Sequence, residues 1–311
     1  MELRHLRYFL AVAEERHFTR AARRLGIAQP ALSQQIKDLE REIGAALFHR
    51  VPHGAELTAA GASFLDRVRA VPRLVADAVE EARRAARGEI GSLRLGFTGS
   101  AAFNQRVPAA IRTFRRAFPA VELTLREANS NALVDWLREG ALDLAFLRPE
   151  GIARDGLTLH PIAAEPLIAA LAASRMPHAA PIRLAELAED SFVMTPRALG
   201  PTLYDATVAA CREAGFEPLP GQSAPQVASV LALVAAELGV ALVPASMRDT
   251  PLKGVTYHDL LDSSARASLA LATRRDERSP AVAAFVAEAR RGLEGEIEKA
   301  SEAAIEKTAE D

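Results

Sequence analysis

The chain has 311 residues, 49% hydrophobic and 25% charged, a length and balance that fit two or three compact folded units and exclude the disordered and membrane-spanning classes. Its single cysteine, Cys211, can form no internal disulfide and leaves no ligand set for a zinc site, which points to a reducing compartment. The net charge of −2 conceals an uneven distribution: residues 1–90 carry 15 Lys and Arg against 12 Asp and Glu, residues 91–292 carry 21 of each, and residues 293–311 carry 2 against 7.

The N-terminal run MELRHLRYFLAVAEERHFTRAARRLG breaks every apolar stretch with charge, so neither a signal peptide nor a membrane span fits and a cytoplasmic location is expected. Leu3, Leu6, Phe9, Leu10 and Ala13 form the stripe of a first amphipathic helix. A second helix, capped at Thr19, turns Ala21, Ala22 and Leu25 inward and ends at Gly26. Pro30 sits in the first turn of a third helix with the stripe Leu32, Ile36, Leu39 and Ile43, which leaves Gln29, Ser33, Gln34 and Lys37 outside. Helix, glycine turn, helix is a helix-turn-helix pattern. A small helical bundle whose polar face only meets water would show the same periodicity.

Leu47 to Arg50 and Glu56 to Thr58 read as the two strands of a wing around Pro52, His53 and Gly54. Thr58 then caps a helical stretch reaching to about Gly88, with Phe64, Leu65, Val68, Val71, Leu74 and Val75 on its apolar side and Pro72 as an expected kink. At the standard rise, about thirty residues span about 45 Å, too long for one small head to cover, so pairing with a second copy is expected. The hinge to the next unit falls near Gly88 to Gly91.

From there strands and helices alternate. LRLGFT, VELTLRE and LDLAFLR are apolar runs separated by helices near Pro108–Ala117 and Ser130–Glu139. EPLIAALA, SFVMT and GVALVP follow, with helices near Thr202–Ala214 and Gln226–Leu238. This alternation predicts largely parallel sheets in two similar lobes. The late strand ASLALATRR and a helix over Ser279–Arg291 return to the first lobe, a two-crossing hinge like that of periplasmic binding proteins. The expected division is 1–58 for the head, 59–90 for a linker helix and hinge, and 91–292 for an α/β sensing domain. Within it, lobe I is about 91–162 plus 267–292 and lobe II about 163–266. Residues 293–311 form an acidic tail, a solvated helix or a frayed end.

In a two-lobed α/β unit, ligands sit beyond the strand carboxyl ends, where helix N-termini point unpaired N–H groups at anions. Ser100, Ser130, Arg148 and Thr202 all belong at that crevice, and Phe103 and Pro201 could furnish its apolar walls. Arg148 offers a planar fork suited to a carboxylate. The same hydroxyls serve equally as ordinary helix caps, and the arginine as an ion-pair partner. Trp136 and Cys211 read as packed residues. No G-x-S-x-G, G-x-x-x-x-G-K-[ST] or H-E-x-x-H motif occurs, so nothing calls for an enzyme, a metal or a cofactor.

The block FTRAARRLGIAQPALSQQIKDLEREIGAALFHRVPHGAELTAAG, from Phe18 to Gly61, together with PAAIRTFRRAFPAVELTL, LVDWLREGALDLAFLR and VAAELGVALVP, closely resembles the LysR-type transcriptional regulators over nearly the whole chain. GFTGS at Gly96–Ser100 with LDLAFLR ending at Arg148 is similar to the subgroup answering to benzoate-like or muconate-like acids. Pro72 and the acidic tail depart from the family pattern. The resemblance implies that Gln29, Pro30, Ser33 and Gln34 meet promoter DNA in the major groove, Gln29 and Gln34 on bases and Ser33 on a base or a phosphate, with Lys37 and the wing residues Arg50 and His53 on phosphates. It further implies an organic-acid effector in the crevice, a homodimer or homotetramer, and contact with RNA polymerase. A solute-binding protein with the same two lobes would carry an export signal and no helix-turn-helix; this sequence has the opposite features.

Overall fold

The computed structural model describes residues 1–51 and 54–292. His53 of the wing and the acidic stretch 293–311 lie outside the described residues. The chain divides into two compact units, residues 1–83 and residues from Arg84 onward.

The first unit is built from α1 (Leu3–Glu15), α2 (Phe18–Leu25), α3 (Gln29–Ile43), β1 (Phe48–Val51), β2 (Gly54–Leu57), α4 (Ala59–Val68) and most of α5 (Val71–Ala86). The helix ends follow local chemistry. Helix α2 begins two residues earlier than the sequence suggests, because the His17 ring accepts the Thr19 N–H at 3.2 Å and acts as the cap. Gly26, at φ +70°, closes it in the left-handed region that glycine enters without a Cβ penalty. Leu32, Ile36 and Leu39 are buried with Phe9, Val12 and Ala21, and the Phe9 ring meets Phe48 at 5.2 Å and Phe64 at 5.0 Å. Ile43 closes the third helix but stays 38% exposed, beyond the reach of this core.

The wing is anchored from both ends. The Glu40 carboxylate accepts the N–H groups of Leu47 and Phe48, and β1 pairs antiparallel with β2 from Phe48↔Leu57 to Val51↔Gly54. Thr58 caps α4 as expected, accepting the Gly61 N–H at 2.9 Å while its hydroxyl donates to the Ala46 carbonyl. The long helix is interrupted at Arg69–Ala70. Pro72 has no N–H for the Val68 carbonyl, so it opens a new helix instead of continuing the old one. Phe64, Leu65, Val68 and Val71 consequently belong to the head core. Only Leu74 (63%), Val75 and Val79 of the expected stripe and its continuation face outward.

The second unit runs β3 (Ile90–Phe97), α6 (Gly99–Ala102), α7 (Arg106–Ala117), β4 (Ala120–Glu127), α8 (Ser130–Arg138), β5 (Leu144–Leu147), β6 (Leu157–Ala172), β7 (Ser191–Met194), α9 (Pro201–Glu213), β8 (Leu219–Ser223), α10 (Val227–Ala235), β9 (Ala241–Pro244), β10 (Val255–His258), β11 (Arg266–Arg274) and a last helix, α11, over 280–292. The expectation of largely parallel sheets needs correction. Parallel pairing holds β4 to β3, β3 to β5 and β7 to β8, but β6 and β11 run antiparallel to their neighbours and join seven strands into one path, β10-β6-β11-β5-β3-β4 with β9 also on β6, while β7 and β8 form a separate two-stranded sheet.

Strand β6 is sixteen residues long. Its first half pairs with β11 in the first lobe, whose core holds Leu93, Leu95, Phe114, Phe146 and Phe285. Its second half pairs with β9 and β10 in the second lobe, around Ile168, Val230, Val243 and Tyr257. Pro161 and Pro166 lie where β6 has a ladder on one side only, which leaves room for the missing N–H groups. A bulge skips Ile162, whose carbonyl accepts from the Arg106 guanidinium instead. Strands β6 and β11 are thus the two crossings between the lobes.

Candidate functional site

In the head, α3 presents Pro30, Gln34 and Lys37 as exposed residues on one face, with Gln29 half-buried beside them. The spacing of four and three places them on one side of the helix, opposite Leu32, Ile36 and Leu39. Ser33 departs from expectation. It is buried, and its hydroxyl accepts the Gln29 amide at 2.8 Å, so it orients Gln29 from beneath. The Gln34 amide is engaged with Asp38 at 2.9 Å, an exposed contact that exchanges readily for a base edge. Arg50 lies on β1 opposite Ala55.

In the second unit, a cleft of about 420 Å³, partly open to solvent, lies at the carboxyl ends of the first-lobe strands and faces the second lobe. Thr98, Ser100 and Ser130 line one wall, with Asn129 at the start of α8. Thr195, Thr202 and Gln226 line the other. The N-termini of α8, α9 and α10 border this cleft; Asn129 Oδ1 already accepts the Ala132 N–H, and Pro201 opens α9 without an N–H, so the other first-turn amides are the ones left for a ligand. Ser100, Ser130, Arg148 and Thr202 meet at this cleft. Phe103 and Pro201 do not line it: Phe103 packs on the second-lobe core, and Pro201 seats against Gly151. Thr98, Asn129, Thr195 and Gln226 were not singled out in the sequence, although the rule that selected Ser130 and Thr202, the opening of a helix after a strand, also points to Gln226.

Arg148 stands behind the first-lobe wall, 3% exposed. All five of its guanidinium N–H groups are matched: Nε with the Ser100 hydroxyl at 3.3 Å, Nη1 with the Ala267 and Ser268 carbonyls, and Nη2 with the Ser100 carbonyl and with Glu165 Oε1 at 2.9 Å. Its backbone N–H donates to the Ser130 hydroxyl. Burial lowers the guanidinium from its ordinary value and the Glu165 charge pulls it back up, so it stays a cation. The expected free fork for a ligand carboxylate is therefore already occupied although Arg148 borders the cleft, and the groups free to meet a ligand there are hydroxyls, the Asn129 and Gln226 carboxamides and helix N–H groups. Thr202 likewise uses its hydroxyl proton on the Glu150 carbonyl at 2.7 Å, a bond between the lobes. A larger recess of about 1150 Å³ on the second lobe holds Arg212 and Glu217, paired with each other at 2.7 Å. No helix N-termini converge on it.

Residues 3–62 match the bacterial regulatory helix-turn-helix proteins of the lysR family, and residues 86–294 match the LysR substrate binding domain. The chain belongs to the LysR family. One relative, the HTH-type transcriptional regulator BudR of Raoultella terrigena, is 42% identical over 92% of this chain and 99% of its own length. The full-length LysR-family regulator CbnR, solved in complex with its target DNA, superposes with a TM-score of 0.81 at 28% identity, covering 94% of this chain and all of that one. The effector binding domain of BenM with its effector benzoate superposes with a TM-score of 0.57 at 27% identity, covering 66% of this chain and 93% of that one. This LysR-family chain is thus a DNA-binding transcriptional regulator with a C-terminal effector-binding domain, not an enzyme. Among the described residues, no helix is long and apolar enough to cross a membrane.

Proposed function

We propose that the protein acts in the cytoplasm as a homodimer or homotetramer on an interrupted dyad in promoter DNA, and that a small carboxylate in the cleft changes its action there. The observation that carries the effector reading is the convergence of three helix N-termini and the Ser100, Ser130 and Thr195 hydroxyls on one cleft, a dipolar cradle suited to an anion. Ser100 and Ser130 are the anchors, and Arg148 holds them from behind. The aromatic or ring-opened acids suggested by GFTGS and Arg148 are one class of such ligands, in keeping with benzoate on BenM.

On the DNA side, α3 reads bases through Gln29 and Gln34, with Pro30 and Lys37 against the strand, Ser33 as support and the wing residues Arg50 and His53 on phosphates. The outward Leu74, Val75 and Val79 support self-association through α5, and two heads then read two half-sites. A ligand that biases the lobes alters how the heads engage DNA and RNA polymerase. The test is binding to the adjacent promoter region at fixed salt, with and without benzoate, muconate and short aliphatic acids. Gln34→Ala relaxes base preference, whereas Arg50→Ala weakens all sequences alike and lowers the salt slope by about one unit. Equal affinity for unrelated DNA refutes the DNA reading; indifference to every acid refutes the effector reading.

A further inference from the structure

Arg148 and Glu165 form an ion pair whose side chains are 3% and 8% exposed. Enclosing two charges is costly, and apolar residues of similar volume would support a core at least as well. What the pair joins is therefore informative. Through Arg148 it reaches the Ser100 wall of the cleft and the backbone of β11. Through Glu165, on the other crossing strand, it reaches the second lobe, where Oε2 accepts the Ser246 N–H at 3.2 Å. Glu150 adds a second carboxylate charge acting on Arg148, with its own Oε2 buried and unpartnered. At Gly99 on the cleft wall, an added Cβ would meet Glu127 Oε1 at 2.8 Å. Among the described residues, carboxylates outnumber cations around the Arg148 guanidinium.

We propose that Glu165 is a positioning residue that sets ligand specificity: by neutralising Arg148 and fixing it against Ser100, it makes the cleft recognise anions through hydroxyls and helix N–H groups, with no net cation. This rests on reading the cleft as the ligand site. Glu165 thereby keeps anion affinity low and dependent on hydrogen-bond fit, so that an ion offering charge without the right acceptors is held poorly. With Glu165 neutral, Arg148 loses its ion-pair partner and keeps only the Glu150 charge acting on it, so a less compensated cation lies a few ångströms from any anion on Ser100, which at an effective interior dielectric of about 20 strengthens anion binding by about tenfold.

The probe is inorganic sulfate, titrated into the full-length protein while thermal stabilisation is followed. In Glu165→Gln the half-saturating sulfate concentration falls about tenfold and becomes more sensitive to ionic strength, and adding Ser100→Ala removes the gain, which locates it in the cleft. A purely structural role for Glu165 would weaken binding instead. Unchanged or weaker sulfate binding by folded Glu165→Gln overturns the proposal. If that variant fails to fold, the paired change Arg148→Leu with Glu165→Leu decides: half-saturation within about threefold of the unaltered protein is expected, since a neutral pair has been removed. Loss of sulfate binding there would mean that Arg148 holds the anion directly. The unaltered protein carries the same test, because binding without a net cation depends weakly on ionic strength and a steep dependence refutes it. The effector reading fails separately, if no acid alters promoter binding while Glu165→Gln still tightens sulfate.

Discussion

Gly61 lies inside α4, where helix propensity alone favours alanine by about 1 kcal/mol. The structure predicts the opposite outcome. A Cβ built on Gly61 would stand 2.0 Å from the Leu47 carbonyl oxygen and 3.0 Å from its carbon, well inside the ordinary contact of about 3.5 Å. Leu47 cannot yield freely: its carbonyl accepts the Thr58 N–H at 2.9 Å, and its own N–H is held by Glu40 at 2.8 Å. Overpacking of this kind costs about 1–3 kcal/mol, and loss of one or two of these hydrogen bonds adds about 1 kcal/mol each. Against the propensity gain, Gly61→Ala should destabilise the head by about 1–4 kcal/mol, and promoter binding should weaken because the wing is anchored through Leu47. Hydrogen exchange on the full-length protein measures it: amides of α4 and the wing should exchange about ten- to several-hundredfold faster, while β3 and β5 serve as internal controls. Unchanged or slower exchange in α4 would refute the close approach and leave propensity as the deciding effect.

Phe285→Ala, which empties a fully buried site against Phe114 and Phe146, should cost about 3–5 kcal/mol in urea unfolding of the second unit; a loss below about 1 kcal/mol would contradict the packing. Burial pushes the Asp143 carboxyl up, but hydrogen bonds from the Arg94 side chain and backbone and the charges of Arg94 and Arg274 outweigh it and hold the group below its ordinary value. The stabilisation is thus complete above the unfolded value of about 3.9 and is lost as pH falls through the folded value. Asp143→Asn should accordingly lower the Tm at pH 7 and leave a gap that closes on acidification; a gap constant with pH would refute the linkage. Burial, with the Glu217 charge, pushes the Cys211 thiol up to about 11, so at pH 8 about one molecule in a thousand is thiolate there. Labelling by a thiol reagent should follow unfolding, and rapid labelling of the folded protein would contradict the burial.

The helices of the head were legible because their apolar period is regular and their ends carry glycine, proline and Thr58. Ser33 was misplaced for a geometric reason. It lies next to Leu32 and three residues from Ile36, at the edge of the stripe, where a helical wheel does not distinguish inside from outside. The strand ends bearing Ser100 and Arg148 were visible, as was their meeting at one crevice. The occupant of the Arg148 fork was not: EPLIAALA marked Glu165 as the start of a strand, but the run from Leu157 to Ala164, interrupted by Pro161, did not read as the same strand, and that continuation along β11 is what sets Glu165 beside Arg148. The antiparallel crossings were hidden likewise, since alternation of strand and helix carries no information about the direction of a strand shared by two lobes. Cap positions shift by a residue or two for a similar reason: Thr19 looks like a cap until the His17 ring is seen to take its N–H.

Because β6 contributes to two hydrophobic interiors at once, its length acts as a ruler for evolution. Deleting one residue near its midpoint would turn every later side chain to the opposite face, so Ile168 and Ala170 would exchange places with Leu167 and Ala169, and each set would face the wrong core. Both faces of the second-lobe sheet would lose their fit from a single lesion, whereas the turns after Ala172 and Glu213 lie outside the long ladder and can change length without resetting it. Within this strand, divergence is confined to substitution, and the bulge at Ile162 is a fixed feature of its register.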